Sequence, residues 1–286
     1  MAEQVTITTR DGLTLVGDAY GPVGGLPVIF MHGGGQTRHS WGGTARAMGR
    51  RGCRAITFDH RGHGHSDWSP DQAYAFTDNA NDLRDWAATL PEPPVVIGAS
   101  LGGIAGMIGL GIEPRVPARA LVLVDIAPKM ERTGTDRIIG FMKERMKTGF
   151  DSLEEAAAAV QAYTPERKRA VDLDSIRKNL RERDGRWYWH WDPATIEARS
   201  ENERENSEAL LSDAVRQIEC PILLVRGRSS DVASPESAAH LKSLRPDVVD
   251  VDVSGAGHMV AGDRNDIFTD AVLDFLEQRL ALRRGA

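Results

Sequence analysis

Short, unbroken apolar runs recur along this chain: PVIFM at 27–31, RAITF at 54–58, PVVIGA at 94–99, ALVLVDIA at 120–127 and PILLV at 221–225. Each is rich in β-branched residues and too short for a helix. Their hydrophobicity is continuous, not alternating, which is the pattern of strands buried on both faces of a parallel sheet. Helix-like stretches separate the first four runs, at 44–51, at 77–90 with Pro91 as a stop, and at 101–112. Strands alternating with helices imply βαβ units and a mainly parallel sheet, the α/β class. In such open sheets the functional residues gather at the C-terminal ends of the strands.

Two segments depart from this rhythm. VTITTRDGLTLVGDAY, at 5–20, alternates apolar and polar residues on both sides of Asp11-Gly12, a hairpin signal. After Pro128, few strand-like runs appear. IIGFMKERMKTGF, SLEEAAAAVQAY and RKRAVDLDSIRKNL carry helical spacing, and Trp187, Tyr188, Trp189 and Trp191 cluster around His190. The sheet pattern resumes with PILLVRG and VVDVDVSG, and a helix, DIFTDAVLDFLEQRL, follows. The expected organisation is one α/β core, 1–128 and 217–286, with a helical insertion at 129–216.

A chain of 286 residues can bury a large core without a disulfide or a structural metal. Cys53 and Cys220 flank strand-like runs and read as small buried hydrophobes. A net charge of −6 with mixed signs gives no reason to expect nucleic acid or an anionic membrane as partner. The first residues lack a basic start followed by an apolar stretch, and no apolar run has the length of a membrane span, so a cytoplasmic location is expected.

The sharpest local signal is Gly98-Ala99-Ser100-Leu101-Gly102, followed by Gly103. It lies between a strand pattern and a helix pattern. A serine on a very tight strand-to-helix turn needs neighbours without bulk, and the turn lifts its Oγ above the sheet. A serine hydroxyl is a poor nucleophile at neutral pH. It needs a base within hydrogen-bond reach, and the base needs an acid to orient it. Serine, acid and histidine are expected in that order at strand ends. His258, after VDVDVSG, is the candidate base. Asp231, after PILLVRG, is the candidate acid, and Asp125, at the end of ALVLV, is its alternative. Asp231 also has a purely structural reading, as a cap for a helix starting near Pro235. A developing oxyanion needs preorganised N–H donors. Leu101 supplies one candidate and the glycines after PVIFMHG the other, Gly34 first and Gly35 second. His32 reads as a group that orients this loop.

Together these residues resemble the α/β-hydrolase superfamily, in particular its capped single-domain branch of carboxylesterases, lactonases, carbon–carbon bond hydrolases, cofactor-free haloperoxidases and epoxide hydrolases. The resemblance covers nearly the whole chain outside the insertion. It includes Asp59-His60-Arg61-Gly62-His63-Gly64-His65-Ser66, which looks like the structural D-x-R-G-x-G-x-S element of that family. Serine at position 100 departs from the epoxide hydrolases and haloalkane dehalogenases, which carry aspartate there, and suits acyl transfer. The resemblance implies an eight-stranded, mostly parallel sheet with a helical cap, and a serine hydrolase acting on a small-molecule ester or lactone without a cofactor. Carbon–carbon bond cleavage and peroxide chemistry on the same triad are the alternatives. The cap would shape the pocket, with Trp187, Trp189 and Trp191 as candidate lining residues and Trp41 as a candidate wall. Tryptophans also fill cores, and that reading stands beside the pocket one.

Two readings of other classes remain open at this stage. His60, His63, His65 and Asp67 invite a metal site, but the binuclear pattern wants a histidine where Trp68 stands. No metal is expected. A non-catalytic binding protein on the same fold is the other, although the candidate serine, acid and histidine are all present. Substrate identity and oligomeric state have no signature in this sequence.

Overall fold

The computed structural model describes residues 2–163, 172–197, 201–258 and 265–280. Strands β1 (Glu3–Thr8) and β2 (Thr14–Tyr20) form the expected hairpin, closed by Thr9 N–H donating to the Leu13 carbonyl at 2.8 Å, with Gly12 at φ 88°. The apolar runs become β3 (Pro27–Met31), β4 (Arg54–Phe58), β5 (Val95–Ala99), β6 (Ala120–Val124) and β9 (Ile222–Gly227), and the alternating VDVDV becomes β10 (Val249–Val253). Among the described residues these make one eight-stranded sheet in the order β1-β2-β4-β3-β5-β6-β9-β10, parallel from β4 to β10.

Two apolar clusters, one on each face, explain the continuous hydrophobicity. Ile29, Met31, Val96, Leu121 and Leu123 face one way, with α2 (Phe76–Ala88) and α3 (Leu101–Gly111). Val28, Phe30, Ile97, Val122 and Val225 face the other, with α1 (Gly42–Arg50) and the C-terminal helix Asn265–Leu280. Alternate residues of one strand serve opposite faces, so a strand covered on both sides has no polar position to spare. Each fully buried Leu, Ile or Val contributes roughly 1.5–3 kcal/mol by leaving water.

Between β6 and β9 lie α4 (Arg132–Lys143), α5 (Leu153–Tyr163), α6 (Leu173–Arg177), a second hairpin of β7 (Leu180–Arg183) and β8 (Arg186–Trp189), α7 (Ala194–Glu197) and α8 (Glu201–Gln217). Two expectations are corrected here. The insertion is not wholly helical: Asp184 and Gly185, both at positive φ, turn the chain between β7 and β8. The boundary at 216 is too late, because Leu211 and Val215 of α8 pack in the core cluster and α8 lies against α3. The expected helix over 167–180 falls partly outside the described residues, and its second half gives α6 and the start of β7. The insertion has an apolar cluster of its own, including Met142, Phe150, Ile176, Trp189 and Trp191. No helix among the described residues is long and apolar enough to cross a membrane.

Candidate active site

Ser100 sits between β5 and α3 at φ 45°, ψ −113°. A non-glycine residue held there costs about 1–3 kcal/mol and persists only where the surroundings impose it. The imposing contacts are visible. A Cβ on Gly98 would collide with the backbone of Gly102, and one on Gly102 with the Met31 carbonyl. The three strand and helix ends meet so closely that only glycine fits on either side of the serine. Ser100 N–H donates to the Val124 carbonyl at 3.3 Å and the Ser100 carbonyl accepts from Ile104 N–H at 3.0 Å, which ties the elbow to β6 and α3.

The acid is the main correction. His258 Nδ1–H donates to Asp125 Oδ2 at 2.7 Å, and Asp125 is fully buried at the end of β6. The same carboxylate accepts from Ser230 Oγ–H at 2.5 Å and from Gly227 N–H at 2.8 Å. Asp231 instead pairs with Arg137 of α4 at 2.8 Å, its side chain 36% exposed. The neighbour in sequence, Ser230, is the residue of that loop that turns inward, where its Oγ also accepts from Val232 and Ala233 N–H. Gly227 lets the His258 loop approach, because a Cβ there would strike the Gly257 carbonyl. With Nδ1 donating to a carboxylate, the neutral tautomer of His258 is the one with its lone pair on Nε2, the arrangement a general base requires.

The glycine loop lies beside the elbow: a Cβ on Gly33 would stand 3.4 Å from Ser100 Cβ. Its N–H groups are not equivalent. Gly33 N–H donates to Gln36 Oε1 at 3.1 Å and Gly35 N–H to His63 Nε2 at 3.2 Å. Gly35 N–H is therefore engaged by a side chain of the loop after β4 and does not fit the donor role expected of it second. Gly34 N–H and Leu101 N–H have no acceptor among the described residues. Leu101 opens α3, so its N–H lies at the positive end of a helix dipole.

The aromatic candidates divide. Trp41 is buried in the core between Phe30 and Phe268, at ring separations of 5.3 and 5.6 Å, and is not a pocket wall. Trp187 is half-buried on the hairpin, exchanging backbone hydrogen bonds with Phe150 beneath Arg177. Trp189 is buried and stacks on Trp191 at 4.8 Å. Trp191, together with Met142, reaches the glycine loop: a Cβ on Gly35 would lie 3.4 Å from Trp191 Cζ3 and 3.1 Å from Met142 Cε.

The loop after β4 is spent on structure. Asp59 accepts from Arg38 N–H at 2.7 Å, Arg38 Nη1 at 2.5 Å and His65 N–H at 2.9 Å. Arg61 grips Asp82 with two hydrogen bonds, both side chains buried. Asp67 accepts from Thr14 N–H, and His60 and His63 bond to backbone groups. No group of three or more His, Cys, Asp or Glu side chains among the described residues is arranged to hold a metal ion.

Residues 28–271 match the alpha/beta hydrolase family. The chain is 30% identical over 268 residues to the esterase Rv0045c of Mycobacterium tuberculosis, covering 88% of this chain and 83% of that protein. It is 32% identical over 216 residues to a 3-hydroxybutyrate-oligomer hydrolase of Cupriavidus necator, covering 72% of this chain and 73% of that one. In structure it resembles an E-2-(acetamidomethylene)succinate hydrolase, with a TM-score of 0.78, 25% identity, and coverage of 96% of this chain and 100% of the other. This chain belongs to the alpha/beta hydrolase family.

Proposed function

We propose that this protein is a serine hydrolase that cleaves a carboxylic ester or lactone through an acyl-enzyme, with Ser100 as nucleophile, His258 as general base and Asp125 as the acid that orients the base. The observation that carries this reading is the hydrogen bond from His258 to the buried Asp125 carboxylate, at the same C-terminal end of the sheet as the strained Ser100 turn. Ser100 Oγ attacks the acyl carbon as its proton passes to His258 Nε2. Leu101 and Gly34 N–H receive the charge on the carbonyl oxygen. Collapse of the tetrahedral intermediate expels the alcohol, which takes the proton from His258. A water molecule then gives a proton to the same nitrogen and attacks the acyl-enzyme, and collapse of this second intermediate releases the acid as Ser100 Oγ takes the proton back from His258. The insertion serves as a cap, with Met142 and Trp191 shaping the pocket above the glycine loop. The names of the relatives, an esterase and an oligoester hydrolase, support an ester as the substrate class.

The test is burst-phase hydrolysis of short and medium p-nitrophenyl esters by wild type and Ser100→Ala, with a phosphonate as a mass-spectrometric label. Turnover and labelling at Ser100 in the wild type, both lost in the variant, are the expected result. A folded wild type that neither turns over nor takes the label overturns the acyl-enzyme reading.

A further inference from the structure

The glycine loop 33–35 has no side chains to anchor it, and Gly35 lies at φ 74°. Three glycines in succession make a floppy segment, yet an oxyanion donor is useful only if its N–H is already aimed. A peptide unit is planar, so holding its carbonyl or its N–H orients the other. Each peptide of this loop is held by a histidine from a different part of the chain. The Gly33–Gly34 unit, which carries the Gly34 N–H, is held through the Gly33 carbonyl, which accepts from His32 Nδ1 at 2.8 Å and from Gln36 N–H at 3.1 Å. The Gly34–Gly35 unit is held through Gly35 N–H, which donates to His63 Nε2 at 3.2 Å. The Gly35–Gln36 unit is held through the Gly35 carbonyl, which accepts from His190 Nε2 at 3.4 Å.

The partners of the other ring nitrogens assign the tautomers. His63 Nδ1–H donates to the Arg61 carbonyl at 3.1 Å, so its Nε2 is the acceptor that Gly35 N–H needs. His190 Nδ1 accepts from Gly64 N–H at 2.7 Å, so its Nε2 carries the proton that the Gly35 carbonyl needs. The two rings lie 5.7 Å apart and grip the two sides of one residue with opposite tautomers. His190 stands just after β8, in the insertion, and is 1% exposed. Its neighbours anchor it to the core: Asp192 N–H donates to the Gly62 carbonyl at 2.8 Å, Tyr74 O–H donates to Asp192 at 2.6 Å, and Arg181 donates to the Gly64 carbonyl.

We propose that His63 and His190, by fixing the two peptides that follow the His32-held Gly33–Gly34 unit, are positioning residues for the loop that carries the Gly34 oxyanion donor, and that through His190 the insertion is a working part of the catalytic centre as well as its cover. This rests on the reading of Gly34 N–H as an oxyanion donor in acyl transfer. Turnover depends on the seat of the insertion, because lifting the hairpin removes the donor that holds the Gly35 carbonyl.

Two variants separate the ring's two bonds. His190→Asn places an oxygen where Nδ1 was and keeps the acceptor for Gly64 N–H, but has no group at the Nε2 position. His190→Gln reaches the Gly35 carbonyl with its amide N–H and gives up the Gly64 bond. In p-nitrophenyl ester hydrolysis, His190→Asn is expected to lower kcat about tenfold with KM within about twofold, and His190→Gln to recover most of that loss. Equal kcat in His190→Asn and wild type overturns the proposal, as does an equal loss in both variants. Amide exchange of segment 33–37 in the unliganded full chain gives a readout independent of turnover. It is expected to accelerate in His190→Asn and to stay near wild type in His190→Gln. Unchanged exchange in His190→Asn overturns the clamp even if the wild type hydrolyses none of the esters, a result that by itself counts only against the ester reading.

Discussion

The ends of β6 and β9 lie side by side, and each is followed by an aspartate that could orient His258. Asp125 is fully buried, takes three hydrogen bonds and has His258 on one oxygen. Asp231 lies on the rim with its carboxylate on Arg137, itself half exposed. The two loops therefore do different work. The first fixes a charge where a histidine must be held in one tautomer, and the second latches the insertion to the core. Burial makes the difference, since a carboxylate out of water needs donors from the protein in place of water, and Ser230, Gly227 and His258 supply three. The β9 loop still contributes to the site, through Ser230.

Four measurements break or sharpen this contrast. Asp125→Asn is expected to cost about four orders of magnitude in kcat, because an amide at that position no longer selects the His258 tautomer. A loss of less than tenfold, in a protein shown to be folded, reverses the assignment of the two aspartates. Next comes acid sensitivity of the fold. Burial, reinforced by the neighbouring His63, His32 and Arg181, pushes the His190 pKa well below 6.5, and burial likewise lowers His32. The unfolded chain then binds protons that the native state refuses, so stability falls as pH drops below about 6.5, by about 1.4 kcal/mol for each unit of depression. Melting temperature against pH is expected to slope downward there, and His190→Gln to flatten part of the slope. A wild-type profile flat from pH 7 to 5 contradicts neutral buried histidines.

Ser230→Ala removes one donor to Asp125 and should lower kcat about tenfold while leaving KM nearly unchanged, near the lower end of the roughly 1.5–3 kcal/mol of a hydrogen bond to a charged group. Wild-type kcat in that variant means that His258 and Gly227 suffice to hold the carboxylate. Smallest is Asp231→Asn, for which kcat is expected within about threefold and stability within about 1 kcal/mol, the usual scale of an exposed ion pair. A larger loss of kcat with unchanged stability makes the Arg137 latch part of turnover.

Some of this was readable along the chain. The parallel strands follow from unbroken apolar runs, and the Ser100 elbow from glycines at spacings that the backbone collisions at Gly98 and Gly102 now explain. The first hairpin follows from Asp11-Gly12. The same pair of residue types at Asp184-Gly185 turns the second hairpin and was equally legible, but the helical spacing around it dominated the reading. Trp41 was misplaced because one-dimensional proximity to the glycine loop does not say to which side of the sheet a ring turns. His190 carried no signal of its own, since its partners Gly35 and Gly64 lie far away in sequence.

The amino-acid order alone determined the class of fold, the candidate nucleophile and the candidate base, because those depend on local pattern: apolar periodicity, a turn that admits only glycine, and a residue just past a strand. The choice of candidate acid, the distinction between Gly34 and Gly35 as candidate donors, the end of the insertion within α8 and the histidine grip on the glycine loop emerged only from the tertiary structure. Each depends on which groups are buried together and which hydrogen bonds they complete, and those pairings join residues as far apart as Asp125 and His258 or Gly35 and His190.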